Sequence, residues 1–218
     1  MLRGMGAPDV AGFLARFTAF GAAPGVETYL PLFHPEATLF DAGMEHPIGL
    51  AEIPAHLEAI LKLVPDFTMV PERWRERGGT LFVEARNEAT LGRAPARWPS
   101  VYCVDLVGDR VVRGRRYYDR QPRFARLDPA TPALPAAPVG RHDLRGLALL
   151  VPELGLDLRS WAGDDTLLFL EWQAHGRLGG APFAVGVAER LELAGGRVTD
   201  AHSYFDTLAL AARVAAAG

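Results

Sequence analysis

Few side chains in this sequence combine a reactive type with a setting that could use it. The first is Asp41, inside the run FHPEATLFDAGMEHPIG from Phe33 to Gly49. It follows Ala37, Leu39 and Phe40, so a carboxylate stands where a short strand over Thr38 to Asp41 leaves an apolar patch. Burial of that kind raises a carboxylate pKa and can make it a proton acceptor. Asp is equally a common turn residue, and Asp41 could simply begin the turn through Gly43.

The other candidates sit on strands and turns. Asn87 shares a strand face with Val83, Ala85, Ala89 and Leu91, and is the polar exception on that wall. It could hold a substrate oxygen or bond a neighbouring backbone group. Tyr102 shares a face with Val104 and Leu106, where its hydroxyl needs a partner that a ligand could supply. Tyr117 and Asp119 fall on one face of a later strand. His46 follows the Asp41 turn and could reach a pocket mouth; an exposed turn histidine is the other reading. Glu84, Arg86 and Glu88 read as a charge ladder on the opposite face.

A nucleophile with a histidine partner, a glycine-rich phosphate loop and paired metal ligands are all missing from the sequence. No cofactor and no metal are expected. Cys103 is the one cysteine, so no internal disulfide forms, and its apolar strand makes it a small core residue.

The elements that must position these residues follow from periodicity. Val10, Phe13, Leu14, Phe17 and Phe20 fall at helical spacing after Asp9. A second short helix carries Val26, Tyr29, Leu30 and Phe33 and is predicted to end at Pro35. A third carries Ile53, Leu57, Ile60, Leu61 and Val64, with Pro54 in its first turn. Four strands follow, over Phe67–Arg77, Thr80–Leu91, Ser100–Val107 and Arg110–Asp119, joined by hairpin-length links. Helices first and strands after predict an α+β fold with a cone-shaped, curved antiparallel sheet.

The composition agrees with a globular chain. Of 218 residues, 49% are hydrophobic and 22% charged, with a net charge of -3. There is no basic stripe for a phosphate backbone, so nucleic acid is not an expected partner. Lys62 is the only lysine. No run is long and apolar enough for a bilayer or a signal peptide, so no membrane is expected and the location is expected to be cytoplasmic.

The sequence also repeats itself. Trp74 and Trp161 stand 87 positions apart. The same offset links Val64-Pro65 to Val151-Pro152, Glu84 to Glu171, Gly108 to Gly195, Tyr117 to Tyr204 and Asp119 to Asp206. Pro47 and Gly49 match Pro138 and Gly140 at an offset of 91, so the helix between is four residues shorter in the second copy. The second copy has no counterpart of the first two helices or of the Asp41 strand. The expected organisation is a complete domain over 1–122, a Pro/Ala-rich linker over 123–137 and a shortened domain over 138–218. Curved sheets can bury their outer faces against each other, which predicts an intrachain pseudo-dimer and leaves a further homodimer open.

Helices, then ATLFDAG, then HPIG and a helix, then strands ending in RRYYDR, resemble the nuclear transport factor two-like superfamily. The SnoaL-like polyketide cyclases and ketosteroid isomerases are its nearest groups. FLEWQAHGRLGG and GGRVTDAHSYFD resemble the later SnoaL strands. By that resemblance Asp41 stands at the isomerases' general-base position. Phe17 stands where they carry a first-helix Tyr donor, and Tyr102 falls near their second donor. SnoaL-like cyclases carry a catalytic Asp late in the chain, which would put Asp119 in that role. The implied site is Asp41, Tyr102, Asn87 and Asp119, with Phe17, Tyr29, His46 and Tyr117 around the pocket. It implies a cofactor-free isomerisation or cyclisation of a small apolar carbonyl compound, with Asp41 removing a proton and Tyr102 and Asn87 stabilising the oxyanion. The alternative is a non-catalytic module that binds a small hydrophobic molecule or pairs domains; loss of the first-helix donor favours it.

Overall fold

The structure is a computed structural model that describes residues 7–134, 143–151 and 153–217. The chain divides into two compact units, one ending at Arg116 and the other starting at Tyr117.

Unit 1 opens with α1 (Val10–Ala22), whose first turn is capped by the Asp9 carboxylate accepting from the Gly12 amide. Then come α2 (Val26–Tyr29), a 3₁₀ turn (Leu30–Leu32) and β1 (Phe33–Phe40). The second helix therefore stops earlier than the sequence suggested. The residue before a proline is pushed towards extended backbone, and His34 precedes Pro35 inside β1. Pro35 falls in the stretch between Phe33 and Thr38 where the pairing of β1 slips, so its missing donor costs no ladder bond.

β2 (Ile48–Gly49) and α3 (Ile53–Leu63) precede β3 (Thr68–Arg77), β4 (Thr80–Leu91), β5 (Ala94–Val107) and β6 (Arg110–Tyr117). β5 starts six residues before the expected Ser100. Pro95 and Pro99 fit there because eight-residue β6 is too short to flank all of a 14-residue strand. The six-stranded sheet runs β2-β1-β6-β5-β4-β3. It is not antiparallel throughout: β1 lies parallel to β6, with Leu39 opposite Gly114. A strand arriving from helices rather than from a hairpin is free to do so. Phe13, Phe17 and Phe20 of α1, Leu57 of α3, and Met69, Val83, Ala85 and Tyr102 of the sheet form one core.

Unit 2 holds α4 (Gln121–Leu127), α5 (Leu144–Leu150), β7 (Gly155–Gly163), β8 (Leu167–Leu178), β9 (Ala181–Ala194), β10 (Arg197–Tyr204) and α6 (Thr207–Ala217). Its four strands run β10-β9-β8-β7. Part of the expected linker is thus helical, and Leu134 lies in the core of this unit with Leu144, Leu147, Val187 and Leu210. Pro138, Gly140 and Pro152, used to align the repeat, lie outside the described residues.

The repeat is visible in the pairing itself. Met69 faces Asn87 and Pro71 faces Ala85; 87 positions on, Leu156 faces Ala174 and Leu158 faces Trp172. Both edge strands slip at the same step, between Pro71 and Arg73 and between Leu158 and Ser160. α3 has 11 residues and α5 seven, the expected loss of one turn. The chain is two repeated halves, the second without a counterpart of β1 and β2 among the described residues. Among those residues no helix is long and apolar enough to cross a membrane.

Candidate functional site

Asp41 follows β1, and Gly43, at φ +89°, turns the chain back towards β2. Asp41 is 4% exposed, so the carboxylate is inside unit 1. Its Oδ1 accepts from the Ala42 amide at 2.8 Å, as a turn-starting Asp does. Its Oδ2 lies 3.7 Å from Arg116 Nη1 and 3.5 Å from His56 Nε2. The second distance is long for a hydrogen bond.

The sequence expectation of a raised Asp41 pKa is overturned. Burial alone pushes it up, but the Arg116 charge, His56 and the Ala42 amide outweigh burial and hold the carboxyl below its ordinary 3.8. The omission was a cation: β6 carries Arg116 beside Tyr117, and α3 carries His56 one turn after Glu52. Neither residue was singled out. The signal available was the RGRR run, which must send the neighbours Arg115 and Arg116 to opposite faces of the sheet.

Arg116 is held from several sides. Its Nη2 donates to Asn87 Oδ1 at 3.0 Å. Its guanidinium carbon lies 5.1 Å from the Tyr102 ring centre and 5.7 Å from that of Phe67. Asn87 is fully buried and donates through Nδ2 to Ala85 O, Trp98 O and Ser100 Oγ. Its polar atoms are engaged by the protein, so it positions Arg116 rather than facing an open cavity.

Tyr102 joins this cluster to a small apolar hollow. Burial pushes its phenol above the usual value; Arg116 pulls it back and the Asp41 charge adds to the rise. The phenol therefore stays protonated at neutral pH and can donate. The hollow is lined by Phe13, Phe17, Tyr29, Leu39, Tyr102 and Val111, among others, and Asp41 is not part of the lining. Its volume is about 20 Å³, space for about one water-sized group. Phe17 meets Tyr102 edge-on at 4.8 Å and stacks on Phe13 at 5.3 Å.

The remaining expected residues face solvent or have partners of their own. His46 is exposed in the turn. Tyr117 belongs to unit 2, where its hydroxyl donates to Glu171 Oε1 at 2.6 Å. Asp119, also in unit 2, accepts from the Thr207 amide and hydroxyl and from the Gln121 amide, which fixes the starts of α6 and α4. These contacts give Tyr117 and Asp119 structural roles within unit 2.

A depressed carboxylate pKa has a defined consequence for stability. The Asp41 contribution is fully present above the unfolded-state pKa and is lost as pH falls through the lower folded-state value. Unfolding free energy is therefore expected to drop below about pH 4, and Arg116→Met is expected to flatten that drop. Urea titrations at several pH values would measure both.

Residues 10–114 match the model of the SnoaL-like domain. No curated protein matches the chain in sequence. Solved structures of similar shape include a ketosteroid isomerase-like protein from Catenulispora acidiphila in complex with trimethylamine. It is 14% identical, covers 52% of this chain and 90% of its own, and has a TM-score of 0.48. IdmH of Streptomyces antibioticus, a candidate polyketide cyclase, is 16% identical over 54% of this chain and 96% of its own, with a TM-score of 0.47. A nuclear transport factor two-like protein from Anabaena variabilis is 18% identical over 49% of this chain and 83% of its own, at 0.43. At these TM-scores the likenesses carry no inference about what the chain does.

Proposed function

From the premise that residues 10–114 are a SnoaL-like domain, we propose that unit 1 binds a small, mostly apolar molecule and does not transform it. The observation that supports this is the hollow: mostly aromatic and aliphatic walls, with Tyr29, Tyr102 and Arg115 as their polar side chains, and no lining by Asp41. A base must reach the proton that it removes. Here the carboxylate is turned to Arg116 and His56 instead. A ligand enters by displacing the Phe13 and Phe17 rings of α1, and its polar end meets the Tyr102 hydroxyl. Asp41, Arg116 and Asn87 then form a charge-compensated support beneath the pocket.

A second reading draws on one observation. After burial and Arg116, the charge of Asp41 is the next influence on the Tyr102 phenol, so a base and a donor lie within electrostatic reach. Asp41 would then take a proton next to a carbonyl while Tyr102 stabilises the oxyanion. The small ketone 1-indanone tests both. Binding predicts a saturable rise in melting temperature, with α-proton exchange into deuterated buffer equal for wild type, Asp41→Asn and buffer alone. Exchange clearly above buffer that disappears in Asp41→Asn would replace binding with catalysis.

A further inference from the structure

The two halves share a sheet design and differ in what covers it. In unit 1 the inner face carries Met69 on β3, Val83 and Ala85 on β4, and Tyr102 on β5, all buried. α1 lies directly on β3: a Cβ at Gly21 would collide with the Met69 carbonyl oxygen. Only a residue without a side chain permits that approach.

In unit 2 the same positions are Leu156 on β7, Leu170 and Trp172 on β8, and Glu189 on β9. Direct cross-strand partners point to one side of a sheet. Leu156 pairs with Ala174 and Leu158 with Trp172, which in turn pairs with Val187. The outlying leucines therefore share the face on which Val187 and Ala174 are buried. α5 and α6 cover that inner part through Leu147 and Leu210. They leave the β7 side open. Leu156 is 41% and Leu158 49% exposed, whereas Met69, the counterpart of Leu156, is 2% exposed. Trp161 is also exposed, but so is its counterpart Trp74, so that exposure belongs to the repeat and not to a missing helix.

We propose that this open face of unit 2 docks an amphipathic helix of a partner protein, seated as α1 is seated in unit 1. Leucines of this size left in water on an edge strand mark an interaction surface or an aggregation hazard. The internal repeat identifies the occupant. The first half supplies its own helix for the matching face, and the second half has no counterpart of it in sequence. α1 shows the required chemistry: large apolar side chains at the spacing of Phe13, Phe17 and Phe20, then a small residue like Gly21 at the closest approach. Glu189 lies on the same face, where it accepts from Trp172 Nε1 at 3.3 Å. Burial raises its pKa although Trp172 and the Arg145 charge offset part of the rise, and a further basic side chain on the incoming helix would add to that compensation.

The test uses the full chain and a fluorescein-labelled synthetic peptide spanning residues 8–23, whose own site in unit 1 is already filled. Fluorescence polarisation is expected to show saturable micromolar binding, at least ten-fold weaker to Leu158→Asp and at least ten-fold weaker for a peptide with Phe13 and Phe17 both changed to Ser. Leu156→Ala, a milder change at an exposed site, is expected to weaken binding several-fold while the circular-dichroism melt stays unchanged. No binding at millimolar peptide, or equal binding to the Leu158→Asp chain, would overturn the proposal. So would sedimentation showing a wild-type dimer that Leu158→Asp makes monomeric, because a second copy would then be the occupant.

Discussion

Replacing Asp41 by Ala is expected to cost about 3–5 kcal/mol of folding free energy, the range for removing one partner of a buried ion pair. The cause is what stays behind. The Arg116 guanidinium, its side chain only 11% exposed, would lose the Asp41 carboxylate that lies 3.7 Å away. Rings and a neutral amide compensate a cation far less than a carboxylate does. The paired change Asp41→Leu with Arg116→Met is expected to recover most of the loss, because well-packed apolar residues can replace a buried pair at little cost. Urea unfolding followed by tryptophan fluorescence measures the double-mutant cycle. A coupling near zero would mean that the two charges do not depend on each other. The same measurement bears on function: a carboxylate committed to Arg116 this strongly makes a poor acceptor for a substrate proton.

The second large effect concerns Phe17. Phe17→Ala is expected to destabilise unit 1 by about 3–5 kcal/mol through lost burial and the cavity left behind. The ring is 3% exposed, lies edge-on to Tyr102 and stacks on Phe13, so its removal would enlarge the hollow already present. A dry apolar cavity of that size can hold a small aromatic molecule. 1-Indanone is therefore expected to bind the Phe17→Ala chain at least ten-fold more tightly than wild type, since no ring has to move. Saturating ketone should return about 2–3 kcal/mol of the lost stability at roughly a hundred-fold excess over Kd. Isothermal titration and a melting series in ketone measure this. An unchanged affinity would mean that the hollow and the entry route past α1 are not the binding site.

The sequence alone determined the parts of this protein that depend on local order and on self-similarity. Helical spacing of Phe13, Phe17 and Phe20 placed α1, and glycine pairs such as Gly78-Gly79 marked the hairpins, because periodicity and positive-φ turns are local properties. The 87-residue offset anticipated the matching registers and matching slips of β3 and β7. The burial of Asp41 was also legible, from its apolar neighbours on one strand. Only the tertiary structure decided what that burial means. The sign of a buried carboxylate's pKa shift depends on which charges come within a few ångströms. Arg116 is 75 positions from Asp41 in the chain, and β1 reaches it through a parallel pairing that no hairpin signal announces. Likewise, alternation could place Asn87 on an inner face, but not reveal that Arg116 and Ser100 would occupy its polar atoms. Such partners are set by how strands line up across the sheet.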